Sequence, residues 1–262
     1  MTRPVFLAED LSCVPSSLAV GERATLGGSE GRHAASVRRI GAGEWVDVAD
    51  GRGLRLTCEV VGADKSSLSL VVREVVQEES PRPEIILVQA LAKGGRDEAA
   101  VEICTEIGID RVIPWASQRA IVQWRGPKAE KGRAKWEGVA RAAAKQSRRA
   151  YVPVVEAVTD SRELSSWVRA LTDEAGAAFV CHEEATQSLG AALARVQGDA
   201  TDGSLPARVA LIVGPEGGIG PEETAQLVAA GARTVSLGAN VLRSSTAGAV
   251  ALTLIRAAAG AY

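Results

Sequence analysis

The chain has 262 residues, 46% of them hydrophobic and 24% charged, the balance of a globular protein long enough to bury one large core or two ordinary ones. That composition excludes a disordered or fibrous chain, and the longest apolar run near the end, residues 247–255, stops at Arg256, short of the roughly 20 residues a bilayer span needs. Glu9 and Asp10 fall where a signal peptide would keep its apolar stretch, so a cytoplasmic protein without membrane contact is expected.

Residues 1–76 carry short alternating segments, 20–26, 44–48, 54–61 and 67–75, separated by turn signals such as Asp50-Gly51. They predict a small β-barrel domain, interrupted by one helix with Ser29 as N-cap and His33, Val37 and Ile40 at helical spacing. Residues 77–83 (Q-E-E-S-P-R-P) read as a linker. From 84 to 262 apolar runs alternate with helical segments. The strands are predicted at 85–91, 112–115, 152–155, 177–181, 209–213 and 234–237. Helices are predicted at 97–107, 128–149, 161–171, 184–196, 221–230 and 245–259. This alternation predicts an α/β domain with a parallel sheet covered on both faces.

The formal net charge of -2 hides an uneven distribution. Between Arg111 and Arg149 stand eleven Lys or Arg residues against two acids, so that segment carries +9 and the remainder -11. A basic stripe on an acidic body fits a polyanionic partner; a solvated helix face explains the same pattern. The four cysteines, Cys13, Cys58, Cys104 and Cys181, form no C-x-x-C pair and read as buried free thiols. Only two histidines, His33 and His182, are present, and no ligand spacing suggests a metal.

Two motifs carry chemistry. Gly214-Pro-Glu-Gly-Gly-Ile-Gly-Pro-Glu-Glu223 follows a predicted buried strand and opens a helix, the place where open α/β sheets bind ligands. It lacks the Gly-Lys-Ser/Thr of a P-loop and the second glycine turn of a dinucleotide fingerprint, and Glu216 would repel a pyrophosphate. Such a loop suits a ligand of little negative charge; a tight strand-to-helix turn is the plainer reading. The second motif, Leu237-Gly-Ala-Asn-Val-Leu-Arg-Ser-Ser-Thr-Ala-Gly248, places three good N-cap residues, Ser244, Ser245 and Thr246, after a buried Arg243. Arg243 could face a ligand or close a structural salt bridge.

On these two motifs the sequence resembles the SPOUT-class methyltransferases that modify uracil N3 in 16S ribosomal RNA. Further matches are Q-A-L-A-K-G from Gln89, T-E-I-G-I-D from Thr105, S-Q-R from Ser117, K-Q-S-R-R from Lys145, H-x-x-x-V-R-R from His33 and D-G-R-G from Asp50. The resemblance spans essentially the whole chain. It implies a PUA-like β-barrel followed by an α/β domain with a C-terminal trefoil knot, a homodimer, and S-adenosylmethionine as methyl donor without a metal. It places the cofactor at Gly214, Glu216, Gly217, Gly218, Leu237, Gly238, Leu242, Thr246 and Ala247. Ser245 stands where the family often has glutamate, so an acid/base role for that glutamate does not transfer.

Methylating uracil N3 requires loss of its proton, so Arg243 is expected to stabilise the resulting anion and Glu216 to orient the base or accept the proton. N3 lies on the pairing edge, and the base must be unpaired or extruded. His33 and Arg39 on the barrel, with Lys93, Arg119, Lys145, Arg148 and Arg149 on the other domain, are expected to hold RNA of the small subunit. Trp115, Trp124 and Trp136 read as packing residues, and His182 as local structure. Competing readings are a related enzyme with a ribose 2'-hydroxyl or guanine N1 target, and a non-catalytic RNA-binding assembly factor.

Overall fold

The structure is a computed structural model and describes residues 3–262. The chain divides into two units, the first comprising the chain up to Ser80 together with Ala144–Val152, the second Pro81–Ala143 with Pro153–Tyr262. The break after Ser80 falls inside the expected linker. Ala144–Val152, expected in the second domain, instead belongs to the first.

The first unit holds a five-stranded sheet of β1 (Val5–Leu7), β2 (Arg23–Leu26), β3 (Trp45–Ala49), β4 (Leu54–Ala63) and β5 (Leu68–Gln77), in the order β1-β3-β4-β5-β2. One face of β4 buries Leu54, Leu56, Cys58 and Val60 and one face of β5 buries Leu68, Leu70 and Val72, the period-two set, with Thr57 and Val71 of the opposite face covered as well. β1, too short for a periodic signal, pairs parallel to β3.

Between β2 and β3 the chain forms α1 (Gly28–Arg32), which runs straight into a π-helical turn, His33–Val37. Ser29 is not its N-cap: Gly27 holds that position, and Ser29 lies one residue inside the helix. Asp10, distant in sequence, does the capping, accepting from Ser29 Oγ and the Glu30 backbone N–H at 2.9 Å each. The Glu30 N–H bond above all, with Ser29 Oγ next, holds the Asp10 carboxyl below the usual carboxylate range.

The D-G-R-G turn receives the returning segment. Gly53 N–H donates to Ala150 O and Val152 N–H to Gly51 O, and the Tyr151 hydroxyl donates to Glu78 O at 2.9 Å. A Cβ on Gly53 would lie 2.3 Å from that hydroxyl oxygen, so only glycine admits Tyr151 there.

The second unit is a parallel sheet of β6 (Glu84–Ala90), β7 (Arg111–Ala116), β8 (Val154–Val155), β9 (Thr159–Asp160), β10 (Ala177–Cys181), β11 (Arg208–Val213) and β12 (Arg233–Val235). The order is β12-β10-β11-β6-β7-β8, with β9 also on β7. The helices are α2 (Arg96–Ile107), α3 (Pro127–Gln146), α4 (Ser161–Asp173), α5 (Leu189–Asp199), α6 (Pro221–Ala229) and α7 (Ser244–Ala258).

Successive residues of the central strands face opposite cores. Ile85 and Leu87 pack with residues of α2, α3, α5 and α7, while Ile86 and Val88 pack with residues of α4 and α6. That two-sided burial explains why these strands read as unbroken apolar runs. Trp115 and Trp136 are fully buried, and Trp124 stacks edge-on against Trp136 at 5.1 Å, so all three tryptophans pack. α5 starts at Leu189, capped by Ser188, five residues later than its apolar pattern suggested, because 182–188 forms a turn. Among the described residues no helix is long and apolar enough to cross a membrane.

Candidate active site

β10, β11 and β12 run in the same direction, and β11 lies on the inner side of β10 while β12 lies on its outer side. The chain therefore reverses its progress across the sheet between β11 and β12, and at such a reversal the loops leaving the strand ends part and leave a crevice. Here the residues after all three strand ends line one cleft of about 750 Å³ within the second unit. Cys181–Glu184 come from β10, Gly214–Ile219 from β11 and Ser236–Ser244 from β12, with Ala247 from the first turn of α7.

Of the expected cofactor positions, Gly214, Glu216, Gly217, Gly218, Leu237, Gly238, Leu242 and Ala247 all line this cleft. Thr246, exposed in the first turn of α7, does not. Gly218 and Gly238 have φ of +71° and +128°, backbone conformations that side-chain-bearing residues adopt only with strain. The second motif sits across from the first because β11 and β12 flank β10 on either side and each motif is the loop at the carboxyl end of its strand.

Glu216 is tied down. Its Oε1 accepts from Arg96 Nη1 at 2.7 Å and from the Lys93 backbone N–H at 3.2 Å, which fastens the glycine loop to the turn before α2. Burial pushes its carboxyl up, but its own backbone N–H, the Arg96 hydrogen bond and the Lys93 N–H outweigh that and hold it below the usual carboxylate range. A carboxylate so held is a poor proton acceptor, and the expected proton-taking role gives way to an anchoring one. Lys93 takes part through its backbone; its side chain is exposed.

Arg243 lines the cleft and is exposed, not buried as the apolar flank of Leu242 suggested. None of the three capping candidates after it caps α7: the N-cap is Arg243 itself, without a side-chain hydrogen bond. Arg119 of the S-Q-R segment also lines the cleft, and its Nη1 donates to Gly217 O at 3.2 Å. It braces the glycine loop of the first motif; RNA contact was the expectation for it.

Sequence reasoning missed several residues here. Glu223 is 1% exposed and accepts from the Gln118 N–H at 2.8 Å, from Ser161 Oγ and from the Gly220 N–H, joining the ends of β7 and β9 to the start of α6. Its helix-start position was visible, its burial was not. His182, Glu183, Glu184 and Arg96 also line the cleft. The position of His182 after a parallel strand was the signal for it. Its Nδ1 accepts from the Glu184 N–H at 3.2 Å, which leaves Nε2 to carry the proton of the neutral ring.

The remaining expected RNA residues, His33, Arg39, Lys145, Arg148 and Arg149, all belong to the first unit. His33 and Arg39 are exposed on and after the π-helical turn, and Arg39 has φ +58°. Lys145 donates to Glu30 Oε1 at 2.5 Å, so its charge is compensated and it anchors the returning segment to α1. Arg148 is exposed with φ +61°, its carbonyl accepting from Arg55 Nη2 at 3.0 Å, and Arg149 is half-buried. The stripe is thus partly neutralised: Arg111 pairs with Glu84 and Glu156, Lys135 with Glu98 and Arg133 with Glu137.

Residues 78–256 match the family described as RNA methyltransferase domain, and residues 26–73 that described as RNA methyltransferase PUA domain. Ribosomal RNA small subunit methyltransferase E of Mycobacterium bovis is 43% identical over 232 residues, 88% of this chain and 85% of that protein. Ribosomal RNA small subunit methyltransferase E of Neisseria gonorrhoeae, solved bound to S-adenosylmethionine, superposes with a TM-score of 0.79 at 24% identity, covering 98% of each chain. A Legionella pneumophila protein described as a methyltransferase, solved with the same cofactor, gives 0.78 at 25% identity, again over 98% of each chain.

Proposed function

This chain belongs to the family of ribosomal RNA small subunit methyltransferase E, and from that premise we propose that it methylates N3 of a uridine in 16S ribosomal RNA of the small subunit, using S-adenosylmethionine. The observation that carries the reading is the convergence of three strand-end loops on one cleft, two of them the glycine-rich motifs of the sequence.

The residues present fit that cofactor. The cleft is lined by the backbone of Gly214, Gly217, Gly218 and Gly238 and by the apolar side chains of Val213, Ile219, Leu237, Leu242 and Ala247, and of the acids that line it Glu216 is paired with Arg96. Gly214, Gly217, Gly218, Leu237, Gly238, Leu242 and Ala247 would hold the cofactor, with Glu216 fixing the loop. When bound, S-adenosylmethionine supplies an activated methyl group.

The chain's own work is to present an unpaired base in line, keep water out, and make loss of the N3 proton easier. The N3 proton passes to water as the base enters, and the negative charge that its loss leaves on the flanking carbonyl oxygens is stabilised by the Arg243 guanidinium until N3 is methylated. Glu216, held ionised, does not take that proton. His33, Arg39, Arg148 and Arg149 hold phosphates and orient the RNA without reading its sequence, while Lys145 keeps their segment in place. A trefoil knot, a homodimer and a cytoplasmic setting belong to the same proposal and rest on the family.

The test is transfer from labelled S-adenosylmethionine to small ribosomal subunits lacking the modification, with the product nucleoside identified by mass spectrometry and chromatography. 3-Methyluridine is the expected product. A different methylated nucleoside would overturn the target; cofactor binding without any transfer would favour a non-catalytic RNA-binding factor.

A further inference from the structure

The glycine loop between β11 and α6 is pinned at three points, all within the second unit. Glu216 is tied by Arg96 and the Lys93 N–H, Gly217 O accepts from Arg119 Nη1, and the Gly220 N–H donates to Glu223 Oε2 at 3.4 Å. The second and third pins lead to the same side chain. Glu223 Oε1 accepts from the Gln118 N–H at 2.8 Å, and Gln118 directly precedes Arg119. Backbone comes close across this seam: a Cβ on Gly217 would lie 3.4 Å from both Arg119 Cβ and Arg119 O, and one on Gly220 would lie 3.6 Å from Glu223 Oε2.

A buried carboxyl group keeps its place only where its hydrogen bonds are made, and it fixes the groups that make them. Glu223 is 1% exposed, and its three donors are uncharged: the N–H groups of Gln118 and Gly220 and the Ser161 hydroxyl. Ser161 Oγ accepts from Trp115 Nε1 at 3.1 Å, so its one proton is committed to Glu223. What Glu223 supplies is therefore spacing between chain segments. The loop it holds needs that: Gly214, Gly217, Gly218 and Gly220 fall within seven residues, and Gly218 has φ +71°. Such a segment has much freedom to lose when a ligand orders it, and fixing it beforehand removes that cost from binding.

We propose that Glu223 is a positioning residue for the methyl donor's site. Its buried carboxyl group sets the spacing between the Gln118-Arg119 segment and the glycine loop, directly through Gly220 and indirectly through the grip of Arg119 on Gly217, so that the loop has its binding shape before a ligand arrives. Glu223 does not line the cleft and acts only through these groups. The inference rests on the functional reading above for the identity of the ligand, and on the structure alone for the network.

Glu223→Gln keeps the size of the side chain, but whichever way the amide turns, its NH2 faces the N–H of either Gln118 or Gly220, and one pin is lost. Two readouts test the proposal: amide hydrogen exchange of the ligand-free protein, and calorimetric affinity for S-adenosylmethionine without RNA. Glu223→Gln is expected to speed exchange at residues 117–120 and 214–220 while β6 and β11 stay protected, and to raise cofactor Kd about 5- to 20-fold with the rate at saturating cofactor within about threefold. Because the two residues act through one seam, Arg119→Ala combined with Glu223→Gln is expected to bind no more weakly than the weaker single variant. Glu223→Asp, which draws the carboxyl group back by one carbon, gives the same pattern and stands in should the amide variant not fold. Faster exchange throughout the second unit, with losses in affinity that multiply in the double variant, would make Glu223 merely structural and overturn the proposal, as would exchange and affinity both unchanged. A wild type that binds no S-adenosylmethionine would remove the functional reading alone, since the exchange arm uses no ligand and still decides whether Glu223 holds the loop.

Discussion

Arg243 is held at the cleft by the backbone that starts α7, and its exposed guanidinium has no carboxylate partner among the described residues. Arg243→Ala is therefore expected to lower turnover about 10- to 100-fold with a smaller change in cofactor affinity, measured by single-turnover kinetics beside calorimetry. The reverse pattern would make it a binding residue. The thiols give a separate expectation. Burial pushes Cys58 and Cys104 up to about 12, helped for Cys58 by Asp47 and for Cys104 by Cys181, while Cys13 and Cys181 are only half-buried. At pH 8 only about one in ten thousand of each buried thiol is thiolate, so alkylation of these two in the native protein is expected to be slow and to become rapid in denaturant. Mass spectrometry after a timed iodoacetamide pulse reads this directly, and rapid native labelling of Cys104 would contradict its burial.

At the level of elements, most of the second unit was legible because buried parallel strands and amphipathic helices alternate with little ambiguity: the run 177–181 is β10 to the residue. Misreadings occurred where long-range contacts replaced a local rule. Ser29 and Ser244 have the chemistry of N-caps, but Asp10 caps the first helix and nothing caps the second. The cleft was legible in its two glycine motifs; its third wall, His182 to Glu184, was not, because only the strand order brings the end of β10 beside them. α7 approaches the sheet through Gly248, where a Cβ would lie 3.2 Å from both Cys104 Sγ and Leu87 Cδ1. Gly248→Val is expected to destabilise the protein by about 1–3 kcal/mol through overpacking, read as a lower Tm, and to weaken cofactor binding because Ala247 shifts with the helix. An unchanged Tm would mean that α7 has slack the close contacts do not suggest.

For the molecule as a whole, charge is the property that composition hides. A net charge of -2 conceals the +9 segment, and folding then neutralises part of that segment with acids from elsewhere in the chain. Arg148 and Arg149 sit in the same unit as His33 and Arg39. Replacing both Arg148 and Arg149 by alanine is expected to weaken RNA binding and to reduce the slope of log affinity against log salt by about 1.5–2. A slope that does not change would place the phosphate contacts on another surface.

The first unit is also discontinuous in time. Its D-G-R-G turn is completed by Ala150–Val152, and its α1 is fastened by Lys145, yet residues 81–143 lie between these parts in the chain. During synthesis at about 5–20 residues per second, the earlier part waits roughly 3–13 s for the later one to be made, and longer for it to clear the ribosome. Over that interval the nascent chain presents an unfilled groove around Gly53, bounded by the very backbone groups that Ala150 and Val152 later satisfy. The amino-terminal unit thus cannot finish folding first, although it is made first, and a fragment ending at Ser80 would lack part of its own edge.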